Sequence, residues 1–403
     1  MSNESLQTIK KILALVFINI MVLLLSGCWD RKEVNDLGLV TAAGIDKISD
    51  KTIELSVLLY IPKSAGSGQS MNGGSEVGDA QTLVRSAKGV TIAEAMSKLQ
   101  EKLPRHIFWG HTEVFIFNEK LAKKGLLKHV DFIIRHPQLR ERSQLFISKQ
   151  KAKEVLSLLP PLERDLASVL RELESLKVGM EVTVKDFALM VLSESGDSAV
   201  PWIKMLPPEG GKKKKETIAY IAGTAIFQKD KMVGKIDDSI TRGVLWLRND
   251  IRLATVTVKP KGANGYVSLS LQNASSKLIP KVDNGKWKVL LKANAEADIV
   301  QNTTQLDMTN IEVIKNLQHL LKKEVENRVK LALVHVQKDM KADIFGFGDT
   351  FNRKYPDLWK RDKYRWNEIF QNIEVTIDLD IKIRRQGMNS VLSAIIPEEV
   401  KQK

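Results

Sequence analysis

Cysteine is all but missing from this sequence: Cys28 is the only one in 403 residues. That excludes an intramolecular disulfide and leaves one thiol whose neighbours decide its use. Histidine is scarce at six residues, and no H-E-x-x-H pair, G-x-S-x-G elbow, P-loop or EF-hand loop occurs. The common signatures of metalloproteases, serine hydrolases, nucleotide-binding enzymes and calcium sensors are therefore absent. Acidic residues are the minority, with 62 Lys and Arg against 48 Asp and Glu, for a formal net charge of +14. So basic a surface attracts polyanions, whether nucleic acid, anionic lipid headgroups or acidic wall polymers. Charge alone does not choose among them.

The few histidines do not assemble into a site. His106 and His111 lie five apart in a predicted strand, where an odd spacing puts side chains on opposite faces. His136 precedes Pro137 at a predicted helix end, where a cation is simply favourable. Asp46, Asp131 and Asp298 are scattered and read as solvated carboxylates. The expectation is a non-enzyme, with no catalytic residues, no metal and no dissociable cofactor.

The N-terminus supplies the location. Lys10 and Lys11 precede an apolar run, Ile12 to Leu25, broken only by Asn19. The run is shorter than the ~20 residues of a spanning helix. It ends in Leu25-Ser26-Gly27-Cys28, the layout of a secretory signal peptide whose end resembles the bacterial lipobox. Two small residues fit a peptidase cleft, cleavage falls between Gly27 and Cys28, and the thiol takes a diacylglyceryl group. An N-acyl chain on the freed amine would complete the anchor. Chains buried at ~0.8 kcal/mol per methylene hold a protein on membrane lipid stably only when there are two. Export also argues against nucleic acid as partner.

Beyond Cys28 the pattern mixes strands and helices in no regular βαβ order, which predicts an α+β fold. Aliphatic runs at Leu37–Asp46 and Lys51–Ile61 read as strands, and Lys63–Asp79 as a Gly/Ser loop of unassigned role. Gln81–Ala87 is a strand. Thr91 caps a helix to about Leu103, with Ile92, Ala95, Met96 and Leu99 on one face. His106–Phe117 and Arg142–Ser148 are strands, and helices occupy Glu119–Arg135, Ala152–Leu159, Leu162–Leu176 and Val184–Ser193. Pro207–Glu216, with four consecutive lysines at Lys212, Lys213, Lys214 and Lys215, marks a linker and a candidate contact with an anionic surface. A hairpin around Lys229-Asp230 follows, then a helix near Ser239–Leu247 and strands at Arg252–Val258, Tyr266–Leu271 and Lys286–Ala297. A long amphipathic helix, about Thr309 to Met340, carries Leu317, Leu321, Val325, Val329, Ala332, Val336 and Met340 at helical spacing. An aromatic stretch and the alternating strand Ile373–Ile383 end the pattern. The predicted organisation is a signal peptide at 1–27, an α+β domain at 28–206, the linker at 207–216, and an α+β region at 217–387. That region divides into 217–300 and 301–387, and 388–403 is a tail. Mixed antiparallel sheets with packed helices are expected.

The motifs say more than the composition. Cys28-Trp29-Asp30-Arg31-Lys32-Glu33-Val34, with Asp36-Leu37 and Ala43-Gly44-Ile45-Asp46, opens the mature chain. Gly89-Val90-Thr91-Ile92, Gly110-His111, Gly223-Thr224-Ala225-Ile226-Phe227 and Arg242-Gly243 with Leu245-Trp246 follow in order. Asp343-Ile344-Phe345-Gly346-Phe347-Gly348, Tyr355-Pro356 with Trp359, and Arg384-Arg385 with Gly387 complete the set. From Cys28 to about Gly387 the chain resembles the Ger(x)C family of spore germination lipoproteins, the C subunits of GerA-type nutrient germinant receptors. The resemblance implies a non-enzymatic, lipid-anchored subunit on the outer face of the spore inner membrane. Its partners would be integral-membrane A and B subunits. It does not imply that this subunit itself binds the nutrient. The competing reading is a solute-binding lipoprotein of a transport system, which usually shows βαβ alternation in two lobes.

Overall fold

The computed structural model describes residues 3–24, 36–60, 82–252 and 254–385. Gly27, Cys28, the Gly/Ser loop at 63–79 and the tail at 388–403 lie outside them. The N-terminal apolar segment forms helix α1 (Asn3–Leu24). Among the described residues no helix is long and apolar enough to cross a membrane.

The first half begins with β1 (Leu37–Lys47), β2 (Ile53–Tyr60) and β3 (Thr82–Gly89), an antiparallel set. Helix α2 (Ile92–Gln100) starts where Thr91 accepts a hydrogen bond from Glu94 N, and it buries Ile92, Ala95 and Leu99. The expected strand over His106–Phe117 is two strands, β4 (His106–Phe108) and β5 (Val114–Asn118), both parallel to β1. A turn at Trp109–Thr112, closed by Thr112 N donating to Trp109 O at 3.0 Å, breaks the ladder. His106 and His111 therefore do not share a strand. Helices α3 (Glu119–Ala122) and α4 (Leu127–Arg135), strand β6 (Gln144–Ser148), and helices α5 (Ala152–Leu156), α6 (Leu166–Ser175) and α7 (Val184–Leu192) follow.

Strand β7 (Ser198–Met205) has no counterpart in the sequence reading, because Pro201 argues against a strand interior. It is tolerated because β7 meets β6 only at Trp202 and Ile203, beyond the proline. β7 then pairs with β8 (Ala219–Gln228), which pairs with β9 (Lys231–Asp237). The expected linker at Pro207–Glu216 thus joins two adjacent strands of one sheet, which runs β3-β2-β1-β5-β6-β7-β8-β9 across it without a break. The centre, β1-β5-β6-β7, is parallel.

Both faces of this sheet are covered, and strand alternation sorts its side chains. Val114, Ile116 and Phe146 pack under α5 and α6 on one face, while Phe115, Phe117 and Ile147 join the main core on the other. Gly44 is needed here: a Cβ would lie 2.7 Å from Ala152 Cβ on α5. Asp46, expected on the surface, is fully buried and caps α5 by accepting from Ala152 N at 2.8 Å and Lys153 N at 3.1 Å.

The second half opens with α8 (Asp238–Arg248) and builds a smaller sheet in the order β10 (Ala254–Val258), β11 (Val267–Asp283), β12 (Lys286–Asn302) and β13 (Glu374–Arg385). β11 extends well past the expected end at Leu271. Its outer half is polar and carries Pro280, but only β12 flanks it there, so it is an edge that tolerates both. Asn284 and Gly285, both at positive φ, close the long hairpin as a two-residue turn. Helix α9 (Ile311–Ala332), continued by a π-helical segment at Leu333–Asp339, buries the apolar stripe read from the sequence. It crosses α8 closely enough that a Cβ on Gly243 would lie 2.1 Å from Arg328 O. Short helices α10 (Phe347–Lys354), α11 (Pro356–Asp362) and α12 (Trp366–Asn372) then lead into β13.

Candidate functional site

The chemistry-bearing residues converge where the segment between α7 and β7 meets the loop before α10. Asp343 is buried there. Its Oδ1 accepts from Phe347 N at 3.1 Å, and its Oδ2 accepts from Gly348 N at 2.8 Å and from the Trp366 indole at 3.1 Å. Its own N–H donates to Asp197 Oδ2 at 2.7 Å, and Asp197 Oδ1 accepts from Lys229 N. Ser195 Oγ donates to Asp343 O. Next to this, Glu194 accepts from the Trp359 indole at 2.8 Å and from Asn352 Nδ2 at 2.9 Å. The Asp197 and Glu194 carboxylates therefore tie a loop of the first half to the Asp343 loop, α10 and α11, while the Asp343 carboxylate fastens its own loop to α10 and α12.

The two glycines of Phe345-Gly346-Phe347-Gly348 serve different ends. Gly346 takes φ 79° ahead of α10, a conformation other residues resist. A Cβ on Gly348 would lie 3.0 Å from the Trp359 ring. Phe345 and Phe347 are buried among Phe370, Trp366 and Phe351. The aromatic stretch is thus a core that holds the Asp343 loop.

A cleft of about 570 Å³ opens over this junction, with Lys177, Asp186, Ser195, Arg248, Arg252 and Asp349 among its walls. Its size suits a small ligand, but its walls are charged rather than mainly apolar. Arg248 is committed to Ile344 O at 2.6 Å and to Asp250.

Burial sets the protonation of the buried acids. It pushes Asp343 up to about 6, against the three hydrogen bonds its carboxylate accepts and with the Asp197 charge adding to the rise. It pushes Asp197 up to about 6 as well. Glu174, on α6, rises to about 8 by the same cause. Among the described residues only its Oε1 is engaged, accepting from Val182 N at 3.3 Å, while Oε2 finds no partner there. The folded protein therefore keeps protons that the unfolded chain releases at ordinary carboxylate values. The stabilisation is complete below those values and is lost as pH rises through about 6 for Asp343 and Asp197 and about 8 for Glu174. The urea midpoint should fall between roughly pH 5 and roughly pH 9, by a few kcal/mol of stability. Glu174→Gln should flatten the alkaline part of that decline. An unchanged slope in this variant would refute the assignment.

The sequence-derived sites are placed as follows. Gly27 and Cys28 lie outside the described residues. Lys212, Lys213, Lys214 and Lys215 are exposed in the connection between β7 and β8. His111 stands against the Phe108 ring, and burial lowers the pKa of His136. Among the described residues no group of three or more His, Cys, Asp or Glu could hold a metal ion. The Asp343 junction was visible in sequence only as a motif. Its partners Asp197 and Glu194 lie about 150 residues away, and nothing in the sequence links them.

The architecture defines the class first: an α+β protein of two sheets, with its two halves locked through a buried carboxylate. The chain belongs to the spore germination family. Residues 30–205 match the spore germination protein N-terminal domain, and residues 222–387 match the family described as spore germination B3/GerAC like, C-terminal. The matched segments meet across the lysine-bearing connection. Spore germination protein KC of Bacillus subtilis is 26% identical over 402 residues, covering 95% of this chain and 97% of that protein. Putative spore germination protein YfkR of the same organism is 29% identical, over 92% of this chain and 95% of its own length. The crystal structure of the GerBC protein shares the fold, with a TM-score of 0.57 at 20% identity over 85% of this chain and 96% of that one.

Proposed function

We propose that this protein is the lipid-anchored, non-enzymatic C subunit of a nutrient germinant receptor, held by Cys28 on the outer face of the spore inner membrane. The observation that carries the reading is the family match over both halves of a chain that carries a lipobox-like Leu25-Ser26-Gly27-Cys28 ahead of them. The integral-membrane A and B subunits are its proposed partners. A tether confines the folded part to the membrane and raises its effective concentration beside such partners, so weak contacts suffice for assembly. The Asp343 junction has a structural part in this reading: it adds a second tie, beside the β7–β8 pairing, between the two segments that a partner would meet.

The test is affinity capture of the tagged protein from detergent-solubilised spore inner membrane. Two multi-spanning proteins should be recovered with it. Recovery of the protein alone, under conditions that preserve other membrane complexes, would count against the assignment. Saturable binding of a free nutrient, measured by calorimetry, would instead favour a solute-binding lipoprotein working through the cleft.

A further inference from the structure

The lysine run does not stand alone. Leu159 N donates to Lys215 O at 2.8 Å, which lays the connection between β7 and β8 against the loop between α5 and α6. That loop reads Leu159-Pro160-Pro161-Leu162. Leu162 is 92% exposed and Leu159 is 46% exposed. Leu162 gains almost nothing from the fold and Leu159 only part of what burial would give, and the two prolines between them fix the backbone of the loop. Lys212, Lys213, Lys214 and Lys215 have no carboxylate partner among the described residues, although Glu209 and Glu216 lie close in sequence.

The loop also has a fixed position relative to the chain's entry. Arg164 sits over the Tyr60 ring, 4.9 Å from its centroid, and Tyr60 pairs with Leu39 on β1. Asp165 Oδ2 accepts from Thr41 Oγ1 at 3.4 Å and is itself buried as the cap of α6. The exposed leucine is thus pinned beside the first residues of β1, where the chain arrives from Cys28. Eight residues lie between Cys28 and Leu37, nine steps with a reach of at most about 32 Å.

We infer that the Leu159–Leu162 loop and Lys212–Lys215 form a second membrane contact, a leucine wedge flanked by lysines that docks on an anionic bilayer beside the lipid anchor. The inference rests on the lipoprotein reading for its geometry. Apolar insertion and lysine attraction to anionic headgroups act together, as in other interfacial segments. One lipid restrains position only. A second contact fixes which face of the protein looks into the membrane and which faces are left for partners.

The test uses the lipidated full chain carrying Leu162→Cys, with an environment-sensitive fluorophore on the introduced thiol; acylation blocks Cys28. The exposure of Leu162 makes the substitution harmless to folding. The probe membranes are vesicles of equal parts phosphatidylglycerol and phosphatidylcholine, and vesicles of phosphatidylcholine alone. On the anionic vesicles the label should shift blue and resist an aqueous quencher. Replacing Lys212–Lys215 by serine should weaken that protection about tenfold or more, since each lysine near such a surface contributes a factor of about five. A label as quenchable on anionic vesicles as in solution overturns the inference, as does protection that appears only when membrane-protein partners are added. Flotation with neutral vesicles reports the anchor separately. A chain that fails to float there sinks the lipid anchor and leaves the Cys28 thiol free. The label is then read in Leu162→Cys on a Cys28→Ser background, where burial on anionic vesicles keeps the wedge and an exposed label overturns it.

Discussion

Asp343→Ala should cost the protein several kcal/mol of stability, one of the largest effects expected of any single substitution. The alanine leaves Phe347 N, Gly348 N and the Trp366 indole as buried donors without an acceptor. Each such group costs about 1–3 kcal/mol. The loop that they fix also presents Asp343 N to Asp197, so the hydrogen bond between the two halves loosens with it. Asp343→Asn should fall between wild type and alanine, because its amide keeps one acceptor and turns an N–H₂ toward a donor. Urea unfolding followed by tryptophan fluorescence is a direct readout, since Trp359 and Trp366 sit at the junction. An alanine variant within about 1 kcal/mol of wild type would show that the donors find other acceptors at little cost.

The second large effect is expected at Cys28. With export routed through a secretion signal of the non-lipoprotein kind, Cys28→Ala should leave the membrane fraction and sharply reduce nutrient-triggered germination. Acyl chains contribute ~0.8 kcal/mol per buried methylene, so their removal is not a small perturbation of membrane affinity. Losing the tether also lowers the effective concentration beside membrane partners from the millimolar range to that of free protein. The leucine wedge alone would give weak, salt-sensitive attachment. Fractionation of spores and the kinetics of the germination response both report the result. Full membrane retention with undiminished germination would mean that the lipid is dispensable.

Local elements were legible in the sequence because their signals are local. Thr91 announces α2, the spacing of Leu317, Leu321 and Val325 announces α9, and the aliphatic runs of β1 and β2 announce themselves. Residues whose surroundings come from elsewhere were not. Pro201 hides β7 because its tolerance depends on where β6 stops pairing. The outer half of β11 carries no predicted strand, because the polar run from Gln272 to Lys277 is tolerated only on an edge. Asp46 looked like a surface acid because its partners, Ala152 N and Lys153 N, arrive from over 100 residues away. The same holds for the candidate sites. The lysine run was plain in the sequence, but its leucine neighbour depends on one hydrogen bond between Leu159 and Lys215.

The unbroken pairing of β7 with β8 bears on how this molecule can be dissected. The first family segment ends at residue 205, on the last residue of a strand whose side chains are almost all buried. A fragment cut there would bare a full row of backbone donors and acceptors on an apolar strand, a template for sticking to any other chain. Genetic truncations in that stretch would then report aggregation rather than the loss of one module's task. A fragment that keeps the sheet whole must run on through Asp237, borrowing two strands from the segment that bears the other family name.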